Sequence, residues 1–252
     1  MKYVFSFLLT CLAVLCATAQ LNQTDAKGKK QGPWQKNYPG TNIPQYRGQF
    51  IDDLPTGLFT YYFESGQKQA EIQHGLPNKT AAVLLYYENG QVMSDGFYKS
   101  GRKDSLWYNY AMSGELMSAE NYKNDVHEGK SIYYYKEGQY LENKLQVRSV
   151  QYWTNDEPNG LFEEYFYNGK LKLTGTYKNG EKIGLWSEYY NTGQLQARIN
   201  YKNDLQHGWT TSYDKFGKTQ SRVMYRDGYA LSESELKVFL ERCKAKNIDP
   251  NQ

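Results

Sequence analysis

Cysteine is nearly missing from this chain, and its few copies stand where they cannot staple a fold. Three occur in 252 residues: Cys11 and Cys16 in the first apolar stretch, and Cys243 alone near the far end. Once that stretch is removed, no intramolecular disulfide can form, and stability must come from packing. Histidine is equally scarce, at three. His74, His127 and His207 share no metal-ligand spacing with one another or with a cysteine, so no zinc motif is present and they read as strand-end or turn residues. The net charge of +3 is too small for general nucleic-acid binding. Beyond Cys16 no apolar run reaches the length of a membrane span. A nucleophile elbow, a phosphate-cradling glycine loop and a Cys/His pairing are absent too. The carboxylates of Asp52, Asp53, Glu163, Glu164 and Glu188 face no base that the sequence identifies. The expectation is a protein without cofactor, metal or catalytic activity.

What is present begins with a leader. Lys2, the apolar run Val4 to Cys16 and the small-x-small pattern Ala17-Thr18-Ala19 read as a secretory signal peptide over residues 1–19, cleaved after Ala19. Thr10 and Leu15 precede the two early cysteines where lipidation wants a small residue, so export without a lipid anchor is the reading. The mature chain is expected in the periplasm, at the outer membrane or outside the cell, with no transmembrane span. Residues 20–31 are polar and lysine-rich and read as a flexible tether.

Tyrosine is the residue in excess, at 25 copies, and it is periodic. Tyr62, Tyr86, Tyr110, Tyr134, Tyr165, Tyr189 and Tyr213 each lie five residues after a small residue and four before a glycine. Successive units start 24 residues apart, with one step of 31 between Gly129 and Gly160. Such a period marks a repeat array in which no unit can bury its apolar face alone. Within a unit, short aromatic strands alternate with turn clusters. Asn89-Gly90 and Asn168-Gly169 predict type I′ hairpins. Ser100-Gly101, Asn124-Asp125, Asn179-Gly180, Asn203-Asp204 and Asp227-Gly228 tolerate the left-handed region at the second turn.

Tight reversals at every connection predict an all-β fold: an elongated single-layer antiparallel meander of about eight hairpin repeats over residues 32–229. About sixteen strands at roughly 4.8 Å spacing give a ribbon on the order of 75 Å long. Gly32-Pro33-Trp34 opens a degenerate first repeat, an insertion falls at 139–150, and the array should coil as long sheets do. Residues 230–252 form a capping helix and tail: Ser232 and Glu235 make a capping box, and Leu236, Phe239, Leu240 and Cys243 form one apolar stripe.

Two ladders are candidate binding surfaces. The seven tyrosines stack across strands, which packing alone explains, and the alternative is a groove for a peptide, glycan or acyl chain. Lys99, Lys123, Lys178, Lys202 and Arg226 stand immediately before the second turn and would form a basic rim facing an acidic partner or an anionic lipid surface. Such turn lysines also keep a repetitive sheet soluble.

Units such as Gly160-Leu161-Phe162, Tyr165, Asn168-Gly169, Tyr177-Lys178-Asn179-Gly180 and Gly184-Leu185-Trp186 resemble the MORN-repeat variant of many bacterial proteins, which characterises the YwqK family, named as antitoxins of toxin–antitoxin systems. The resemblance spans about residues 32–229. It implies an antiparallel meander and a non-catalytic binding or scaffolding role. A repeat that supplies surface and no catalytic constellation points to a protein as the foremost partner. Gly75, Thr154 and the insertion depart from the pattern, and a leader suits an envelope role, including immunity against an exported toxin, better than neutralisation in the cytoplasm. The rival reading is a cell-wall or carbohydrate binder, which the Tyr86-Tyr87 and Tyr189-Tyr190 pairs superficially resemble; binding to anionic membrane lipid is a further one.

Overall fold

The computed structural model describes residues 20–76, 79–136 and 145–251. The leader expected at residues 1–19 lies outside them. Sixteen strands of six to nine residues pair in chain order as eight antiparallel hairpins, beginning with Lys30–Asn37 and ending with Thr219–Arg226. Three two-residue strands, Gln23–Thr24, Val126–His127 and Tyr229–Ala230, complete one open sheet. The single helix, Glu233–Lys246, starts at Ser232 with the expected capping box. Its stripe is as expected, with Cys243 buried and Leu236, Phe239 and Leu240 half-buried.

Residues 20–31 are not a loose tether. Gln23 and Thr24 pair with Gln31 and Lys30, and the Asp25 carboxylate closes the loop by accepting from the backbone N–H groups of Lys27 and Lys29. The insertion expected at 139–150 lies partly outside the described residues. By Val147 the chain is already the return strand Val147–Thr154.

The first turn of each repeat is built differently from expectation, while the second holds left-handed residues at all five expected dipeptides. Gly90 has a φ of 86°, but Asn89 is not left-handed, so this is no type I′ dipeptide. Tyr87 N–H donates to Gln91 O and Gly90 N–H to Tyr87 O, which makes a longer turn closed by a left-handed glycine. Asn89 is there for its carboxamide, which accepts from Gln91 N–H and donates to Met112 O in the next repeat. The paired positive φ angles sit at the second turn instead, as at Asn124 (54°) and Asp125 (72°), or Asn203 (50°) and Asp204 (64°).

Strand alternation gives the sheet a ring face and an open face. Trp107, Trp186 and Phe59 point to the ring face and are essentially fully buried. A single layer can bury such rings because the strand beside each carries glycine. A Cβ on Gly48, Gly96 or Gly175 would collide with Phe59, Trp107 or Trp186 respectively. Where the ring position holds the smaller Val83, its neighbour is Ile72 instead. Each buried ring contributes about 2–3 kcal/mol.

Candidate binding surfaces

Each ladder tyrosine follows immediately on a break in strand register: at Tyr61/Tyr62, Leu85/Tyr86, Asn109/Tyr110, Tyr133/Tyr134, Glu164/Tyr165, Glu188/Tyr189 and Ser212/Tyr213. The periodic tyrosine therefore marks a bulge, which tightens the local twist. All seven are half-buried. Tyr86 donates to Glu71 Oε2 at 2.5 Å and Tyr165 to Glu163 Oε2 at 2.9 Å, while Tyr110 bonds to the Asp95 carboxylate. Burial first, and the facing carboxylate second, hold the Tyr86 and Tyr110 hydroxyls far above their ordinary value and push Tyr165 up to about 12. The hydroxyls of Tyr86, Tyr110 and Tyr165 are thus engaged within the sheet and are not free for a ligand.

The next residue in the repeat, which the sequence reading met only as the second member of the Tyr86-Tyr87 and Tyr189-Tyr190 pairs, ties neighbouring repeats together. Tyr38, Tyr87, Tyr135 and Tyr190 donate their hydroxyls to the backbone carbonyls of Tyr62, Tyr110, Tyr165 and Tyr213, at 2.7 to 2.9 Å. The opposite rim has its own staple. Asp53, Asp125, Asp156 and Asp204 accept from the backbone N–H groups of Lys30, Lys103, His127 and Lys182. An aspartate at this turn does what a glycine cannot, and that explains the Asn-Asp dipeptides.

Lys99, Lys123, Lys178 and Lys202 are exposed at strand ends, as expected. The rim they share also carries Asp125, Asp156 and Asp204, and Lys178 pairs across strands with Glu181. It is an edge of mixed charge. Arg226 does not stand free with the lysines, because its guanidinium lies 5.3 Å from the Phe239 ring of the helix.

A second basic row, absent from the sequence reading, covers the ring face. Lys30 lies over Trp34 and Phe50, Lys103 over Trp107 and Tyr122, and Lys182 over Trp186 and Tyr201, at 4.6 to 5.1 Å from the ring centroids. The signal was the lysine two residues before the small residue that opens a repeat.

At that position in the fifth repeat stands His127. Its ring lies between Tyr122 (4.3 Å) and Trp153 (5.2 Å), and its two nitrogens meet Glu120 at 2.9 Å and Asp156 at 3.0 Å. Burial works against the Glu120 charge, but hydrogen bonds from Ser118, His127 and Tyr122 hold its carboxyl below the ordinary value. His127 does end a short strand, Val126–His127, but its sequence reading as a strand-end or turn residue missed this cluster, because Glu120 and Asp156 come from different hairpins. Every polar atom of the histidine is used in joining repeats. No group of three or more metal-binding side chains is assembled among the described residues, and no helix among them is long and apolar enough to cross a membrane.

A continuous cross-strand row crosses the open face. In the first half it runs Arg47, Thr60, Glu71, Leu84, Asp95, Tyr108, Ala119 and Ile132. It continues through Val150, Glu163, Thr174, Ser187, Arg198, Thr211 and Arg222. Beside it, Leu58, Leu161 and Leu185 recur at one repeat position and remain exposed. At the C-terminal end the tail returns onto this face: Trp209 N–H donates to Asn251 Oδ1 at 3.0 Å.

Among curated proteins none matches the chain. One similar solved structure, a porin-like protein from Bacteroides uniformis, is 9% identical, with 78% of this chain and 91% of that chain covered and a TM-score of 0.18. At that score the two do not superpose as one fold, and the likeness carries no argument. The MORN repeat variant matches at residues 55–74, 79–100, 158–179 and 182–203. Each stretch covers the strand, turn and strand of a regular repeat, and the interval that holds His127 is left unmatched. At those four places the chain carries the MORN repeat variant.

Proposed function

We propose that this is a non-catalytic scaffold whose open sheet face engages a protein partner in the bacterial envelope. The observation that carries the reading is the open face itself. Leu58, Leu84, Leu161 and Leu185 stay exposed along it, while the ring face is filled and covered by its own lysines. Periodic apolar side chains on a rigid sheet supply repeated contacts of one geometry, which suits an extended protein surface. Export rests on Lys2, the run to Cys16 and Ala17 to Ala19. An antitoxin or immunity role is the narrower form of this reading, with an exported toxin as the partner. A glycan-binding role is less favoured, because Trp107 and Trp186 are buried and Trp209, the half-buried indole on the open face, has the Arg222 guanidinium over its ring. The mixed charge of the lysine rim likewise weakens the lipid-surface reading.

The test is capture from envelope extracts on the immobilised protein, followed by titration of the purified captured protein. Leu58→Asp, Leu161→Asp and Leu185→Asp together should abolish the titrated binding while the β-sheet circular dichroism is retained. Retention of glycan alone, or unchanged affinity of the triple variant, would remove the proposal.

A further inference from the structure

The C-terminal end of the open face has an unmatched pair of cations. Arg198 and Arg222 both pair with Thr211, one from each side, so a single strand separates them on one cross-strand row. Every other charge of that row is engaged. Arg47 donates to Gln35 and lies over Tyr62, Glu71 holds Lys68 and Tyr86, Asp95 bonds Tyr110, and Glu163 accepts from Tyr165. Neither Arg198 nor Arg222 has a carboxylate partner among the described residues.

The two arginines border an open concavity of about 490 Å³, which also takes in Leu185, Asn200, Trp209 and Thr211, and none of its lining residues is acidic. Arg222 is held in place by Trp209, its guanidinium 4.0 Å from the indole centroid. Stacking fixes the plane of an arginine while leaving its in-plane N–H donors free for a carboxylate. A second concavity adjoins the first at Arg198 and Tyr213 and is lined by Leu195, Lys215 and Phe216. Phe216 is 96% exposed at its turn, an apolar ring with nothing over it.

We infer that this end of the sheet is a docking site for an extended acidic peptide segment of the partner, with an apolar side chain of that segment resting against Leu195 and Phe216. The inference rests on the scaffold reading and names the chemistry of its partner. Two strand spacings put the arginine backbones about 10 Å apart, close to the roughly 9 Å that three residues span in an extended polyproline II chain, where three residues also complete one turn and bring side chains back to the same face. Carboxylates three residues apart on such a peptide can therefore each meet one guanidinium. The Asn200 amide N–H groups already donate to Trp209 O and Asn251 Oδ1, so Thr211 and the Asn200 side-chain oxygen are the polar partners left for the peptide between them.

Fluorescence anisotropy with the full mature chain tests this. The probe is a labelled octapeptide of glycine and serine with glutamates at its second and fifth positions and leucine at its seventh. Binding should weaken as salt rises, and Arg198→Gln and Arg222→Gln should each weaken it about fivefold, the size of one exposed charge pair. The double variant should lose about twenty-fivefold if the two act independently, whereas Lys178→Gln should change nothing. The same peptide with glutamines should not bind. Equal binding of the glutamate and glutamine peptides, or of the double variant, overturns the inference. So does failure of the peptide to bind while phosphatidylserine vesicles are retained through the same arginines. If the captured protein partner still binds the double variant but not the leucine variants, the scaffold stands and this docking site falls.

Discussion

The indole of Trp107 stands where a side chain on Gly96 would have to go. The same relation holds between Gly175 and Trp186, so the two most buried rings of the array depend on glycines eleven residues earlier. Gly96→Ala and Gly175→Ala should each lower stability by about 1–3 kcal/mol, the usual cost of overpacking. Urea unfolding followed by tryptophan fluorescence measures it. Adding Trp107→Val to Gly96→Ala should cost less than the two single changes summed, since Ile72 beside Val83 shows that the repeat accepts the opposite division of volume.

The tyrosine staples give a second measurable quantity. Tyr87→Phe and Tyr190→Phe remove only a hydroxyl, and Phe63 and Phe166 occupy the equivalent position elsewhere without harm to the turn. Each change leaves a carbonyl, of Tyr110 or Tyr213, without its donor and should cost about 1 kcal/mol. Hydrogen exchange should quicken at the boundary between the two joined repeats more than at distant ones, as expected for nearest-neighbour coupling.

Alkaline pH should unfold the chain. Tyr86, Tyr110, Tyr122 and Tyr165 are raised above the ordinary tyrosine value of 10.0, through burial first and the facing carboxylates second. A raised folded value means that the folded state holds the proton more tightly. The stability involved is complete below pH 10 and is lost as pH rises through the folded values. Tyrosinate absorbance should therefore appear together with the loss of β-sheet circular dichroism. Titration of all tyrosines with the sheet intact would contradict it.

Acid acts through other groups. Glu71 and Glu120 are held below the ordinary glutamate value of 4.5 by hydrogen bonds that outweigh burial. Their contribution is present above pH 4.5 and disappears as pH falls through the folded values. Burial lowers His74 from 6.5, so its contribution starts to be lost at a higher pH, below 6.5. His127→Ala should cost about 2 kcal/mol by removing the bond to Glu120, whereas His127→Lys restores the residue found at Lys103 and Lys182 and should cost much less. Thermal melts from pH 3 to pH 8 distinguish the two variants.

Charge reversal along the lysine rim should leave the fold alone. Lys99→Glu, Lys123→Glu, Lys178→Glu and Lys202→Glu should each shift stability by less than about 0.5 kcal/mol, as exposed strand-end residues do. Arg226→Glu should cost more and loosen the helix that Phe239 anchors. Equal effects at all five positions would argue against the arginine contact.

The meander was legible because its evidence is periodic: a tyrosine, a glycine and a turn dipeptide recur at fixed offsets. The helix was legible from Ser232, Glu235 and the stripe ending at Cys243. The left-handed second turns were legible from their Asn, Asp and Gly residues, but the first turn was misread because Asn89-Gly90 has the composition of a type I′ pair, while the Asn89 carboxamide also donates to Met112 O, a repeat away. The pairing of Gly96 with Trp107 was hidden for a similar reason, since a strand glycine looks like a weakness until its neighbour's ring is placed. The His127 cluster and the Arg198–Thr211–Arg222 row depend on which strands lie side by side, and repeat periodicity leaves that unmarked in any single residue.

The staples on both rims have a mechanical consequence. Strands in this meander lie across the long axis, so tension applied to the two ends loads the ladder hydrogen bonds along their length and opens them one rung at a time. Each repeat that lets go adds up to about 80 Å of chain, 24 residues at roughly 3.4 Å apiece. The Tyr-to-carbonyl and Asp-to-amide bonds join hairpin to hairpin, and they set the force at which each step occurs. A protein held at both ends would thus yield as a graded spring, and the hairpins bearing both staples would be the last to give.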